Sequence, residues 1–254
     1  MEAILTTHLV EYILRIGDTS LILGQRLGEW CGHGPILEED IALTNISLDL
    51  IGQTRAFFAY AGIVEGKNRS EDDLAFFRDA RAYRNTLLAE QPNGDFAKTI
   101  VRQLFVSIFQ LYFFEELKNS KDKTLAALSE RSWKEVAYHV RHCKEWTYRL
   151  GDGTKESHSR MQKGIDELWR YTGDLFYANE TDAVLLKAGI AVDLTKVKAL
   201  WTEKIKEILA QATLKYPEDK FFITGGCEGR HTEYLGHILA EMQILPRSFP
   251  NAVW

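Results

Sequence analysis

Hydrophobic residues recur along this chain at the period of the α-helix. Leu9, Ile13, Ile16, Ser20, Leu23, Leu27 and Trp30 step alternately by four and three, which predicts one long helix with a single buried seam. Gly17 and Gly24 interrupt it, each at a cost of about 1 kcal/mol against Ala unless close packing uses the missing side chain. The loop Gly32-His33-Gly34-Pro35 leads to a second helix over 37–61. Ile41, Leu48, Ile51 and Phe58 form its expected apolar side, and Asn45, Asp49, Gln53 and Arg55 give it unusual polarity. Ser70, with Asp73 three residues on, opens a third helix expected over 71–90, ended by the breaker Gln91-Pro92-Asn93-Gly94. Asp95 caps a fourth helix carrying Leu104, Phe105, Ile108, Phe109, Tyr112 and Phe113. Periodicity continues over 124–150, stops at Gly151-Asp152-Gly153, and resumes over 154–176. Shorter helices are expected over 181–187 and after Asp193, and a last one over 231–244.

No strand-like alternation, repeat or low-complexity linker survives these assignments. The expectation is an all-α chain, a helical bundle of antiparallel neighbours with 1–254 as one domain. Composition changes this little: 45% hydrophobic and 26% charged residues are ordinary for a globular protein. A net charge of -5 gives no footprint for nucleic acid or for an anionic membrane. Cys31, Cys143 and Cys227 are far apart and form no CxxC pair, as expected of reduced thiols. Met1 to Val10 lacks the basic start and apolar run of a signal peptide, and no apolar window is long enough to span a bilayer. A soluble cytoplasmic protein is the expectation.

Long helices with inward polar residues raise a di-iron carboxylate bundle first. That site needs a Glu from each of two helices and a Glu-x-x-His from each of two others, because residues three apart share a helix face. Of the seven histidines, only His231 is preceded at that spacing by Glu, Glu228, and it stands at a glycine-rich helix entrance. A normal di-iron centre is not expected. Glu135, His139, His142 and Trp146 share one face of the fifth helix. They could form a mononuclear metal site or an acid-base pair, or simply a buried or solvated polar face. Glu29, Asp49 and Gln53, on or near predicted buried sides, could line a vestigial polar cavity with Glu135 and His139. Equally, they could pair between helices and set register. The loop Gly225-Gly226-Cys227-Glu228-Gly229-Arg230 lacks a P-loop lysine; anion binding at the helix N-terminus after it stays open, with Arg230 assisting.

Whole strings of the chain resemble one family. They include Gly24-Gln25-Arg26-Leu27-Gly28-Glu29-Trp30-Cys31-Gly32-His33, the stretch from Glu38 to Gln53, and Glu90-Gln91-Pro92-Asn93-Gly94. Lys134-Glu135 with Tyr138-His139, Arg149-Leu150-Gly151-Asp152-Gly153-Thr154, and Gly225-Gly226 through His231-Thr232-Glu233 to Ala240-Glu241-Met242-Gln243 follow in the family's order. The chain resembles the C-subunit family of bacterial phenylacetyl-CoA epoxidases, also called ring 1,2-phenylacetyl-CoA oxygenases. The resemblance implies a ferritin-like four-helix bundle with additional helices. It also implies a complex whose homologous A subunit holds the di-iron centre, with this chain as its non-catalytic partner and no cofactor of its own. Where a catalytic relative carries Glu-x-x-His, this chain has Leu50-Ile51-Gly52-Gln53. Two other readings stay open: an autonomous metalloenzyme using Glu135, His139 and His142, and a self-associating helical scaffold.

Overall fold

The computed structural model describes residues 2–218, 221–250 and 252. Among these there are nine α-helices and no strand. They are α1 (Glu2–Gly28), α2 (Leu37–Glu65), α3 (Glu71–Phe76), α4 (Phe96–Leu117), α5 (Lys123–Gly151), α6 (Lys155–Leu168), α7 (Glu180–Ala188), α8 (Leu194–Gln211) and α9 (Glu233–Ser248). The protein is all-α, and its long helices come as hairpins of the kind a ferritin-like bundle uses. Among the described residues no helix is long and apolar enough to cross a membrane. The chain divides into two compact units, Met1–Pro92 with Gly225–Trp254, and Asn93–Thr224.

In the first unit α1 and α2 form an antiparallel hairpin built on the predicted seam, with Ile13, Ser20, Leu23 and Leu27 fully buried. The two glycines explain its closeness. A Cβ on Gly17 would stand 2.5 Å from Phe58, and one on Gly24 would stand 3.1 Å from Ile51. The glycine carbonyls are used as well: the Ser47 hydroxyl donates to Gly24 O at 2.7 Å and Thr54 to Gly17 O at 3.2 Å, both buried. The expected apolar side of α2 needs correction. Ile51 and Phe58 turn inward or to its edge, but Ile41 and Leu48 are exposed.

The third helix is much shorter than its pattern suggests. Ser70 and Asp73 close a capping box at its start, yet it ends at Phe76, and 77–92 continues as short turns, one at Ala80–Ala82 and one over 87–90, joined by irregular backbone. Tertiary bonds take the backbone groups that a helix would use. Arg78 Nε donates to Leu74 O at 2.5 Å, Tyr83 OH donates to Ala75 O, and Gln243 on α9 donates to Ala75 O at 3.2 Å and Arg78 O at 3.0 Å.

In the second unit α4 is buried on nearly every side. It runs antiparallel to α5, with Phe96 against Trp146 at one end and Lys118 over Trp133 at the other. Asp95 caps α4 as its sequence predicts, accepting from Lys98 N at 2.9 Å. The helix expected over 154–176 tightens after Leu168 into a 3-10 segment, Trp169–Phe176. That segment brings Trp169 and Phe176 onto Phe105, Phe109 and Trp201, with ring centroids 5.3–5.7 Å apart. Trp201 on α8 also donates from Nε1 to Phe105 O at 2.9 Å, so the ring's polar edge is satisfied inside the cluster.

Candidate functional site

The most concentrated buried charge lies in the first unit, around the irregular segment. Asp18 on α1 is fully buried, and it is the only acid between Tyr12 and Gly28. Arg78 donates to it from both terminal nitrogens, at 3.0 Å from Nη1, and the Arg84 N–H donates at 2.7 Å. Burial pushes the Asp18 carboxyl above the usual range, while Arg78 and Arg84 pull it back. Three donors on two oxygens suit the ionised acid. Burial, with Asp18 nearby, also drives the Tyr83 phenol well above its ordinary value.

A second carboxylate, Glu90, sits beside this pair and is likewise fully buried. One oxygen faces His231 Nδ1 at 2.7 Å and accepts from Asn85 at 3.1 Å. The other accepts from Thr232 N at 2.9 Å and from Thr232 Oγ1 at 2.6 Å. His231 Nε2 faces Tyr83 O at 3.0 Å, and Arg26 donates twice to Glu90 O. The anion site left open at the last helix's N-terminus is therefore filled by the protein's own Glu90, delivered from the end of the irregular segment. Glu228 does not join His231; it pairs with Arg230 at 2.5 Å, and the Arg230 side chain lies against Gly225. These bonds tie α9 and residues 77–92 to α1. Sequence reasoning did not single out Asp18 or Arg78, although an isolated acid in an apolar helix was the available signal.

The predicted site residues scatter. Glu29 lies past the end of α1 and is exposed, held by Arg26 at 2.8 Å, because the chain leaves the helix at Gly28. Asp49 is half-exposed on α2. Gln53 is buried and accepts from Ser20 at 3.4 Å. On α5, His139 is fully buried, Glu135 is half-exposed and accepts from Arg131 at 3.4 Å, and His142 is half-exposed with Nδ1 3.9 Å from Cys143 Sγ. Glu29, Asp49 and Gln53 thus do not share one buried lining. Glu135, His139 and His142 do not form a ligand cluster either. Among the described residues no three His, Cys, Asp or Glu side chains are grouped as metal ligands would be.

A di-iron centre needs a Glu-x-x-His on each of two helices, and each hairpin can be tested for one by itself. The buried i,i+3 pairs of α2 include Leu50 with Gln53, and those of α5 include Val136 with His139. On neither helix does a Glu stand three residues before a His. The residues do not fit the group.

Comparison with known proteins bears on the same question. A family model described as "Phenylacetic acid catabolic protein" matches residues 1–254. The chain is 49% identical over 247 residues to the C subunit of the 1,2-phenylacetyl-CoA epoxidase of Escherichia coli (strain K12), covering 97% of this chain and 99% of that one. Identity at this level over both whole lengths leaves the assignment plain: the chain belongs to the phenylacetic acid catabolic protein family, alongside the C subunit of the Escherichia coli epoxidase.

Proposed function

We propose that this chain is the non-catalytic structural subunit of a multicomponent phenylacetyl-CoA epoxidase in the cytoplasm, and that it supports a homologous di-iron catalytic subunit. One observation carries the reading. The chain keeps the helical hairpins of a di-iron bundle, while the inward positions of α2 and α5 hold Leu50, Gln53, Val136 and His139. Activation of O2 needs a redox centre that these side chains do not build, so the chemistry belongs to another subunit. The full-length match to a protein named as a subunit supports the same division of labour.

The test mixes this chain with the family's di-iron A subunit and follows co-elution by size exclusion. Iron is then measured on each subunit, and epoxide formation from phenylacetyl-CoA is assayed with reductase and reduced nicotinamide cofactor. Co-elution, iron on the partner alone, and turnover only from the mixture are expected. Full activity from the partner by itself, or about two irons bound by this chain, would sink the reading.

A further inference from the structure

His231 stands between two acceptors. Its Nδ1 lies 2.7 Å from a Glu90 carboxylate oxygen, and its Nε2 lies 3.0 Å from Tyr83 O. A neutral imidazole carries one N–H and can donate to one of them; its other nitrogen would then set a lone pair against an oxygen lone pair. The Tyr83 carbonyl brings no proton of its own, so Nε2 carries one. Glu90 decides whether Nδ1 carries another.

The Glu90 carboxylate is fully buried, and the His231 side chain is only 6% exposed. Asn85 Nδ2, Thr232 N and Thr232 Oγ1 also donate to its two oxygens, a set of partners that suits the ionised acid. All three are neutral. The surrounding charges are engaged elsewhere. From α1, Arg26 donates to the Glu90 main-chain oxygen and pairs with Glu29 at 2.8 Å. On the irregular segment, Arg84 pairs with Glu11 at 2.6 Å and Arg81 is exposed. In the loop before α9, Arg230 pairs with Glu228 at 2.5 Å, and on α9 itself Glu233 is exposed. Asp18, the other fully buried acid of this unit, has Arg78. Among the described residues the Glu90 carboxylate has no cationic partner except His231, and a buried carboxylate without one is costly.

The pair joins two stretches far apart in sequence. Residues 225–230 fold on themselves, with Glu228 N and Arg230 N donating to Gly225 O. Gly229, at φ 76°, sits so close to the irregular segment that a Cβ there would stand 2.4 Å from Arg81 O. The bonds of His231 and Thr232 to Glu90 and Tyr83 O then fasten the loop and the start of α9 to 83–90. Without the Nδ1 proton, an imidazole lone pair would face a carboxylate oxygen at 2.7 Å. The closed arrangement needs that proton and the open one does not, so closure is stabilised while the ring is charged and weakens as pH rises.

We infer that His231 is a buried imidazolium and that its Nδ1 proton is a latch. When hydroxide takes the proton, loop 225–232 and the first turn of α9 come away from 83–90, while the α1–α2 hairpin stays folded.

Nitrogen NMR of the wild-type chain reads the ring directly. Near neutral pH both His231 nitrogens should carry a proton, and an unprotonated Nδ1 there would overturn the inference. Hydrogen exchange, corrected for the intrinsic pH dependence of amide exchange, reads the latch. Once the proton is lost, protection of the Thr232 amide should fall about tenfold per pH unit, the slope of a single proton, while the Leu23 amide on α1 keeps its protection. Protection at Thr232 that stays flat into alkaline pH, or that falls in step with Leu23, would also overturn it. In His231→Gln the Thr232 amide should be less protected near neutral pH and insensitive to pH. Persistence of the wild-type slope in that variant would assign the proton to another group and overturn the latch. The wild-type measurements decide the matter even if His231→Gln fails to fold.

Discussion

The two units of this chain solve the same folding problem with opposite materials. The first buries carboxylates and guanidinium groups together around Asp18, Arg78 and Glu90; the second buries a cluster of Phe and Trp rings, neutral polar groups and dispersed charges such as Arg102 and Asp182. The difference follows the backbone. Helices satisfy their own N–H and C=O groups, so where α4, α5 and α8 meet, the core can be apolar. Residues 77–92 are mostly irregular, and their buried backbone groups need side-chain partners. Arg78, Gln243 and Arg26 donate to main-chain carbonyls there, those of Ala82, Arg78 and Glu90, and Asp18 accepts from a main-chain N–H. In the first unit, clustered buried charge thus gathers where regular structure gives out.

The harshest way to break this comparison is to remove one charge. Arg78→Met should lower stability by about 3–5 kcal/mol in urea denaturation, because Asp18 is left ionised and buried. A loss under about 1 kcal/mol would mean that the pair does not hold the segment. Glu90→Gln should cost about 2–3 kcal/mol, since an amide cannot accept from His231, Asn85 and Thr232 together. Faster hydrogen exchange over 77–92 and at the start of α9 should accompany it, and unchanged protection there would contradict the network.

Smaller effects sharpen the contrast. Ser70→Ala removes the α3 cap and should cost about 1 kcal/mol near neutral pH. Hydrogen bonds from the Ser70 N–H and hydroxyl hold Asp73 below its ordinary value of 3.8. A depressed carboxyl contributes stability above the unfolded value and loses it as pH falls through the folded one. The gap between variant and wild type should therefore narrow below about pH 4, and a gap independent of pH would refute this account. The smallest change is expected in the second unit. Gln103 is fully buried, and its Oε1 accepts no hydrogen bond among the described residues. Gln103→Leu should alter stability by less than about 1 kcal/mol, against the heavy cost of changing Arg78. A large loss would show that buried polarity matters equally in both units.

Helix existence was legible because periodicity and caps are local. Ser70, Asp95, Thr154 and Asp193 each cap the helix that follows them. The end of α3 was not legible: the residues after Phe76 keep a helical pattern, and it is Asp18, far away in sequence, that claims Arg78 and Arg84. Ile41 and Leu48 misled for a related reason. Hydrophobicity reports that a residue is to be covered, and α2 has apolar residues on both sides, so pattern alone did not say which side faces its own chain.

By itself, then, the sequence determined the all-α class, the helix starts and the family, and also the lack of a second Glu-x-x-His, since these rest on residue identity and short spacing. Tertiary structure alone decided that Glu90 fills the N-terminus of α9, that Gln53 is buried while Glu29 is exposed and Asp49 half-exposed, and that Ile41 and Leu48 on α2 are left exposed. Those outcomes depend on which distant groups compete for the same donors and the same buried space, and that competition is resolved only when the chain packs.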